Sequence, residues 1–220
     1  MAKVVIFGTT EMAELTHFYF MHDTSHEVIA FTVDGNYIKE NNMCGLPVVP
    51  FQEVESIYQP SEYKMRIALW YSGMNKLRAE KYYQAKAKGY ELINYISSKA
   101  ITWPGLVIGD NCFIDANSVI MPFSVIGNNV YMMANSYVGE GCVIRDHCFL
   151  SAHAVVCGCA TVAEYCFIGV NSIIRNSISI ARECVIGAGA VILENTQAKG
   201  VYKANPAVLI PKRSDELKEI

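Results

Sequence analysis

The sequence contains no apolar run long enough to cross a bilayer, and it lacks a glycine-rich G-x-G-x-x-G fingerprint. After the first apolar stretch, Val4-Val5-Ile6-Phe7, only Gly8 of that fingerprint stands, in Gly8-Thr9-Thr10-Glu11, which argues against a redox dinucleotide. Basic charge is not in excess. The 18 Lys and Arg face 21 Asp and Glu, for a formal net charge of −3, which argues against the positive surface that nucleic acid or an anionic membrane requires. Met1-Ala2-Lys3 runs directly into a strand without the apolar segment of a signal peptide, so the cytoplasm is the expected compartment. Histidine is scarce, and His17, His22 and His26 show no ligand spacing. The eight cysteines include one Cys-x-Cys, Cys157 and Cys159, with no second pair at a zinc-site spacing. No metal is expected, and the thiols read as structural groups in a reducing compartment.

What the chain does have is a six-residue period. From Ile96 to Ile192 every position whose number is a multiple of six carries a core residue, and among the seventeen only Thr102 is polar. Two residues before each, from Ala100 on, lies a column of Ala, Ser or Cys, broken only by Leu106, Val130 and Ile178; it takes up Cys112, Cys142, Cys148, Cys166 and Cys184 as compact apolar fillers. Such hexads read as a short strand followed by a corner, with the branched residue inside and the small one where the chain bends. Stacked in parallel about 4.8 Å apart, each coil satisfies the backbone of the next, which predicts a parallel β-helix.

Ahead of the hexads the pattern changes. Strands are predicted at residues 4–7, 27–33 and 65–71, with an extended Pro47-Val48-Val49-Pro50 and helices over 11–21 and 76–88, the second closed by Gly89. Strands alternating with helices predict a parallel, Rossmann-like α/β sheet. In such a sheet the turn after the first strand offers backbone N–H groups to a phosphate. Asp34, after the second strand, stands where an acidic residue accepts a ribose or base hydrogen bond, or where an ordinary turn aspartate would also be found.

The hexads, preceded by an α/β unit, resemble the left-handed β-helix sugar acyltransferases of the NeuD/PglD type. The segments Asn135-Ser136-Tyr137-Val138-Gly139-Glu140 and Cys148-Phe149-Leu150-Ser151-Ala152-His153-Ala154-Val155-Val156-Cys157-Gly158 carry that resemblance. Relatives show N-x-x-I-G-H, then F-I-S-S-H-V-V-I-S-G; His153 and Gly158 match, whereas the closing histidine of the first motif is Glu140 here. The resemblance implies three units: a Rossmann-like nucleotide-sugar-binding domain over 1–90, a left-handed β-helix over 91–198 and a tail or cap over 199–220. It further implies three hexads per coil, a homotrimer with active sites between subunits, and an acetyl-CoA-dependent N-acetyltransferase acting on a nucleotide-linked deoxy-aminosugar for surface glycan synthesis. A sialic acid-like sugar O-acetyltransferase is the alternative, and a non-catalytic β-helix scaffold a second. A γ-type carbonic anhydrase would need three zinc-binding histidines, and the hexads hold only His147 and His153.

With eighteen residues per coil, Asn117, Asn135, His153 and Asn171 form one outward column, either a ligand groove or a plain Asn ladder. His153 is a candidate base or donor to the thioester oxygen, or an interface histidine; His147, stacked with Asn129 and Tyr165, reads as surface. Glu140 is a candidate base, strengthened if a subunit interface excludes water from it, but thirteen residues separate it from His153, so the two could meet only between subunits. By position in the resembled family, Gly8, Thr9, Thr10, Asp34, Ser72, Asn75 and Asn135 would bind the nucleotide sugar. Acetyl-CoA would lie along Gly158, Gly187, Ala188 and Gly189, with Lys203, Asn205, Pro206 and Lys212 near its phosphates and adenine.

Overall fold

The computed structural model describes residues 1–209, 211, 213 and 214; Lys212 lies outside the described residues. The first ninety residues form a sheet whose strands are β1 (Lys3–Phe7), β2 (Glu27–Val33), β3 (Asn42–Met43), β4 (Leu46–Pro50) and β5 (Tyr63–Ile67). Their order is β3-β4-β2-β1-β5, parallel except where β3 folds back on β4. Helices α1 (Glu11–Asp23), α2 (Val54–Ile57) and α3 (Lys76–Ala87) complete this part.

Strand β5 begins two residues earlier than the sequence predicts and ends at Ile67 rather than Tyr71. The physical reason lies outside the sheet. Trp70 and Tyr71 leave it to pack against Phe149, with ring centroids 6.2 and 4.9 Å away, and Tyr71 also meets Phe167 at 4.9 Å.

From Tyr95 onward the chain winds as a left-handed parallel β-helix. The two-residue strands pair in parallel with those eighteen residues before and after them, as Tyr131–Met132 does with Phe113–Ile114 and Phe149–Leu150, except that the last, Val201–Tyr202, joins Val185–Ile186. Three faces result, one of seven strands and two of five. The multiples of six point inward and are buried from Ile114 to Ile192. At the open first coil Ile96 and Thr102 are exposed, and the Thr102 hexad reduces to a single bridge between Ile101 and Val119.

The small column does more than fill space. Ser118 and Ser124 donate from Oγ to the carbonyls of Met133 and Gly139, at 3.1 and 2.7 Å, and Cys112, Cys142, Cys148 and Cys166 direct Sγ at the carbonyls of Gly127, Cys157, Ala163 and Ala181 at 3.0 to 3.1 Å. All six bonds reach fifteen residues ahead, to a corner carbonyl of the next coil. A buried carbonyl oxygen gains from a second donor, and a hydroxyl or thiol of this size can supply one. This is why Ser and Cys alternate freely in the column.

The corners obey an equally simple rule. Every third residue after a core position, from Asn111 to Gly189, has a left-handed backbone with φ between 53° and 68°. Asn, His and Gly enter that region most easily, and they occupy nine of these fourteen corners: Asn111, Asn117, Asn129, Asn135, Gly141, His147, His153, Asn171 and Gly189.

The seven-stranded face is covered by the α/β sheet and its helix α1. Its outward residues Tyr95, Phe113, Tyr131 and Phe149 are buried and share one core with Val4, Ile6, Met12, Ala13 and Phe20, with Phe167 half-buried at its edge. Two fully buried arginines tie the parts together. The Arg78 guanidinium lies 4.1 Å from the Tyr131 ring and donates to the carbonyls of Trp70, Asn129, His147 and Cys148; Arg66 lies 5.0 Å from the same ring and donates to those of Ile93 and Cys112. Burial away from water pushes both arginines down in pKa, Arg78 to about 10.

His147 corrects the expectation of a surface residue. It is buried where α3 meets the β-helix, its Nδ1 2.9 Å from Asn129 Nδ2 and its Nε2 2.9 Å from the Tyr83 hydroxyl. Asn129 Oδ1 already accepts from Asn111 and Arg78, so its amide must donate to Nδ1, which leaves the imidazole proton on Nε2. Burial pushes this histidine down to about 4.

Candidate active site

A cavity of about 710 Å³ opens in the α/β part, lined by Gly8, Thr9, Thr10, Val33, Asp34, Tyr37 and Lys81 among others. Gly8 is held there by backbone geometry: its φ is +130°, and a Cβ would stand 2.6 Å from the Ala68 carbonyl oxygen. Without a side chain at that turn, the backbone before α1 stays open to the cavity. Asp34 sits on the same wall with one carboxylate oxygen 2.8 Å from Lys81 Nζ and the other 3.3 Å from Gln52 Nε2.

Gly8, Thr9, Thr10 and Asp34 therefore meet in one cavity, whereas Ser72 and Asn75 do not line it. Ser72 is exposed in the turn before α3. Asn75 is fully buried, left-handed at φ 64°, and donates to the Cys166 carbonyl at 3.2 Å, so it is a pin between the two parts of the molecule.

The remaining candidates fall on two corners of the β-helix. Asn117, Asn135, His153, Asn171 and the Gly187-Ala188-Gly189 turn follow one edge, with Lys203 stacked on Gly187 and Ala204 near Gly189. His153, Asn135, Ala188, Gly189, Lys203, Asn205 and Pro206 are all exposed. Glu140 and Gly158 follow a different edge and do meet: a Cβ on Gly158 would lie 2.5 Å from Glu140 Oε1, so the glycine lets the glutamate side chain rest on the backbone of the next coil. Beside them Phe123 is left-handed and 90 % exposed.

Between the two edges runs the second face, with outward residues Val119, Tyr137, Val155, Ile173 and Val191, the last two 41 % and 56 % exposed. Within one chain His153 and Glu140 are thus kept apart by the width of that face.

The bacterial transferase hexapeptide family (six repeats) matches residues 105–135 and 123–158, and the hexapeptide repeat of succinyl-transferase matches 162–194. The second half of the chain is built of hexapeptide repeats. Solved structures extend the likeness to the α/β part. Perosamine N-acetyltransferase from Caulobacter crescentus, in a complex with CoA and GDP-perosamine, superposes with a TM-score of 0.82 over 91 % of this chain and 93 % of that one, at 22 % identity. WeeI from Acinetobacter baumannii gives 0.78 over 96 % and 100 % at 18 % identity. The acetyltransferase domain of PglB from Neisseria gonorrhoeae gives 0.76 over 90 % and 94 % at 19 %. No curated protein sequence matches. At these identities the likeness establishes the fold: hexapeptide-repeat coils behind an α/β sheet.

Lys81 was not singled out from the sequence, although a signal was there. Ala79, Tyr82 and Ala85 mark the buried stripe of α3, and a lysine set within such a stripe needs a partner. The docked face was legible too: Tyr95, Phe113, Tyr131, Phe149 and Phe167 are eighteen apart and all aromatic.

Proposed function

We propose that the protein is an acetyl-CoA-dependent N-acetyltransferase acting on a nucleotide-linked amino sugar. The observation that carries this reading is a ligand-sized cavity, lined by Gly8, Thr9, Thr10 and Asp34, in an α/β sheet fused to hexapeptide coils. The same two-part fold holds CoA and GDP-perosamine in the Caulobacter enzyme. Residues 1–90 bind the nucleotide, 91–198 carry the transfer and the tail that begins at 199 caps the last coil. The enzyme acts in the cytoplasm in surface glycan synthesis.

The active unit is a homotrimer. The cavity includes no β-helix residue, and the sheet it belongs to covers the seven-stranded face, whereas Glu140 lies on the corner between the other two. A sugar held by one chain therefore reaches the Glu140 of another. The exposed apolar residues Ile173 and Val191 and the neighbouring Phe123 supply the contact surface. There the His153 edge of one copy is brought beside the Glu140 edge of the next, and water is excluded from both.

Acetyl-CoA lies along the His153 edge, where Gly189 is exposed and leaves the backbone open to the pantetheine arm. Glu140 accepts one proton of the sugar ammonium, the amine nitrogen bonds to the thioester carbonyl carbon, the C–S bond breaks, and the second proton lost from that nitrogen passes to the departing thiolate. His153 donates a hydrogen bond to the thioester oxygen while negative charge builds there.

Incubating the protein with acetyl-CoA and a panel of nucleotide-linked amino sugars, and reading free thiol, tests the proposal: an amine-dependent release is expected. Release with hydroxyl sugars alone would replace it by O-acetylation. One observation favours the scaffold reading, namely that His153 shares the left-handed corner geometry of Asn117, Asn135 and Asn171; nucleotide binding without thiol release would establish that reading. Glu140→Gln is expected to lower kcat about 10²- to 10⁴-fold and to remove the acidic limb of the pH–rate profile, and an unaltered limb would take the base role from Glu140.

A further inference from the structure

The Asp34–Lys81 pair fixes a carboxylate on the wall of the cavity. Lys81 comes from the middle of α3, and its side chain is only 9 % exposed. Its ammonium lies 5.8 and 6.0 Å from the rings of Phe7 and Phe51 and 3.0 Å from Gln84 Oε1. An ammonium this far from water must be paired; Asp34 pairs it from the cavity wall and Glu80 Oε1, at 3.5 Å, from its own helix. Gln52 completes the arrangement: its Nε2 donates to Asp34 Oδ1, and its Oε1 accepts from the Gly35 amide at 3.1 Å. The carboxylate is thus held from two sides, by a helix and by the loop after β4, in one orientation. It also forms the partition between the main cavity and a second hollow of about 580 Å³, since Asp34, Tyr37 and Lys81 line both.

A carboxylate fixed in this way can only accept hydrogen bonds. Each oxygen already has one donor and keeps a lone pair free, so the matching ligand group presents two adjacent hydroxyls. Resting on the nucleotide reading above, we propose that Lys81 is a positioning residue that makes Asp34 an acceptor for the vicinal diol of a ribose, so that the cavity selects ribonucleotides over 2′-deoxyribonucleotides. A hydrogen bond to a charged group is strong, and losing one donor leaves the carboxylate under-satisfied.

Calorimetric titration of the full chain with UDP, dUDP, GDP and dGDP tests this. Whichever base is preferred, its ribo form is expected to bind about ten- to a hundredfold more tightly than its deoxy form. Lys81→Met should bring that ratio close to one, Lys81→Arg should keep most of it, and Asp34→Asn should abolish it. If Lys81→Met fails to fold, the wild-type ratio and Asp34→Asn still decide. Equal affinity for the two forms, or a Lys81→Met protein that weakens both in the same proportion, would overturn the positioning role and leave the nucleotide reading standing. No binding of any of the four would overturn both.

Discussion

The docked face of the prism and its second face are made by the same interior hexads, yet their outward residues differ in kind. On the docked face Tyr95, Phe113, Tyr131, Phe149 and Phe167 project into a shared core with α1. On the second face Val119, Tyr137, Val155, Ile173 and Val191 project outward, and the last two are exposed. Aromatic rings on successive coils, with centroids 5.0 to 6.1 Å apart and all but the Phe149–Phe167 pair tilted, leave room for the Arg66 and Arg78 guanidiniums over the Tyr131 ring, a surface that an irregular α/β unit can fit. Short branched side chains give a flatter and more regular surface, which suits another regular surface. The hexad interior therefore sets the shape of the prism, and the residue just before each core position sets what each face meets.

This contrast can be broken at either face. The largest effect is expected from Ile173→Asp, which places a charge in the middle of the proposed interface: light scattering should show monomer in place of trimer, with acetyl transfer lost and the circular dichroism of the coils kept. A trimer that survives would move the interface to another face. On the docked side, Arg78→Met keeps the bulk but leaves the carbonyls of Asn129, His147 and Cys148 without that donor. A loss of about 3 kcal/mol in urea denaturation is expected, and a loss under 1 kcal/mol would show that the aromatic ladder alone holds the two parts together.

Acid should act on the docked face through His147. His147 is neutral in the fold, with its pKa pushed by burial from 6.5 to about 4, so below 6.5 the unfolded chain binds the proton more readily than the folded one. Stability present at pH 7 is then lost as the pH falls through 6.5 toward 4, by about 2 kcal/mol at pH 5. That window lies above the one set by Asp23, whose carboxyl is held at about 2 by Ser98 and Tyr95 and whose contribution is lost only below 3.8. A urea midpoint that does not move between pH 7 and 5, or that moves equally in His147→Gln, would remove His147 from this account.

The smallest structural effect, and the sharpest separation of fold from chemistry, is expected from His153→Asn. Asparagine already occupies the same left-handed corner at positions 117, 135 and 171, so the melting temperature should stay within a degree or two of the parent. A fall in kcat of about ten- to a hundredfold would then report chemistry, whereas unchanged turnover would leave His153 a corner residue.

Much of this was legible beforehand, because a repeat announces itself. The interior column and the small column each recur every six positions, and each has a local cause: a branched side chain fills the prism, and a hydroxyl or thiol meets a corner carbonyl. The positive φ that Asn, His or Gly accepts at the third residue after each core position was not read from the sequence. The longer α/β elements, though not β3 or α2, were legible within a few residues for the same local reasons. Of the candidate site, Gly8, Thr9, Thr10 and Asp34 could be found because their places follow from the order of strands and turns. The roles of Asn75, Lys81 and His147 could not, since each depends on which residue from a distant element arrives opposite it: the Cys166 carbonyl, Asp34, and Tyr83 with Asn129 respectively.

By itself, then, the sequence determined the prism, its register and the kind of sheet in front of it, since those follow from interactions between residues six or eighteen apart or within a single element. Only the tertiary structure decided how the α/β part seats on the aromatic face, which buried charges pin it there, and which candidate residues share a wall. Burial and partnership over long separations are properties of the folded whole, and no local pattern encodes them.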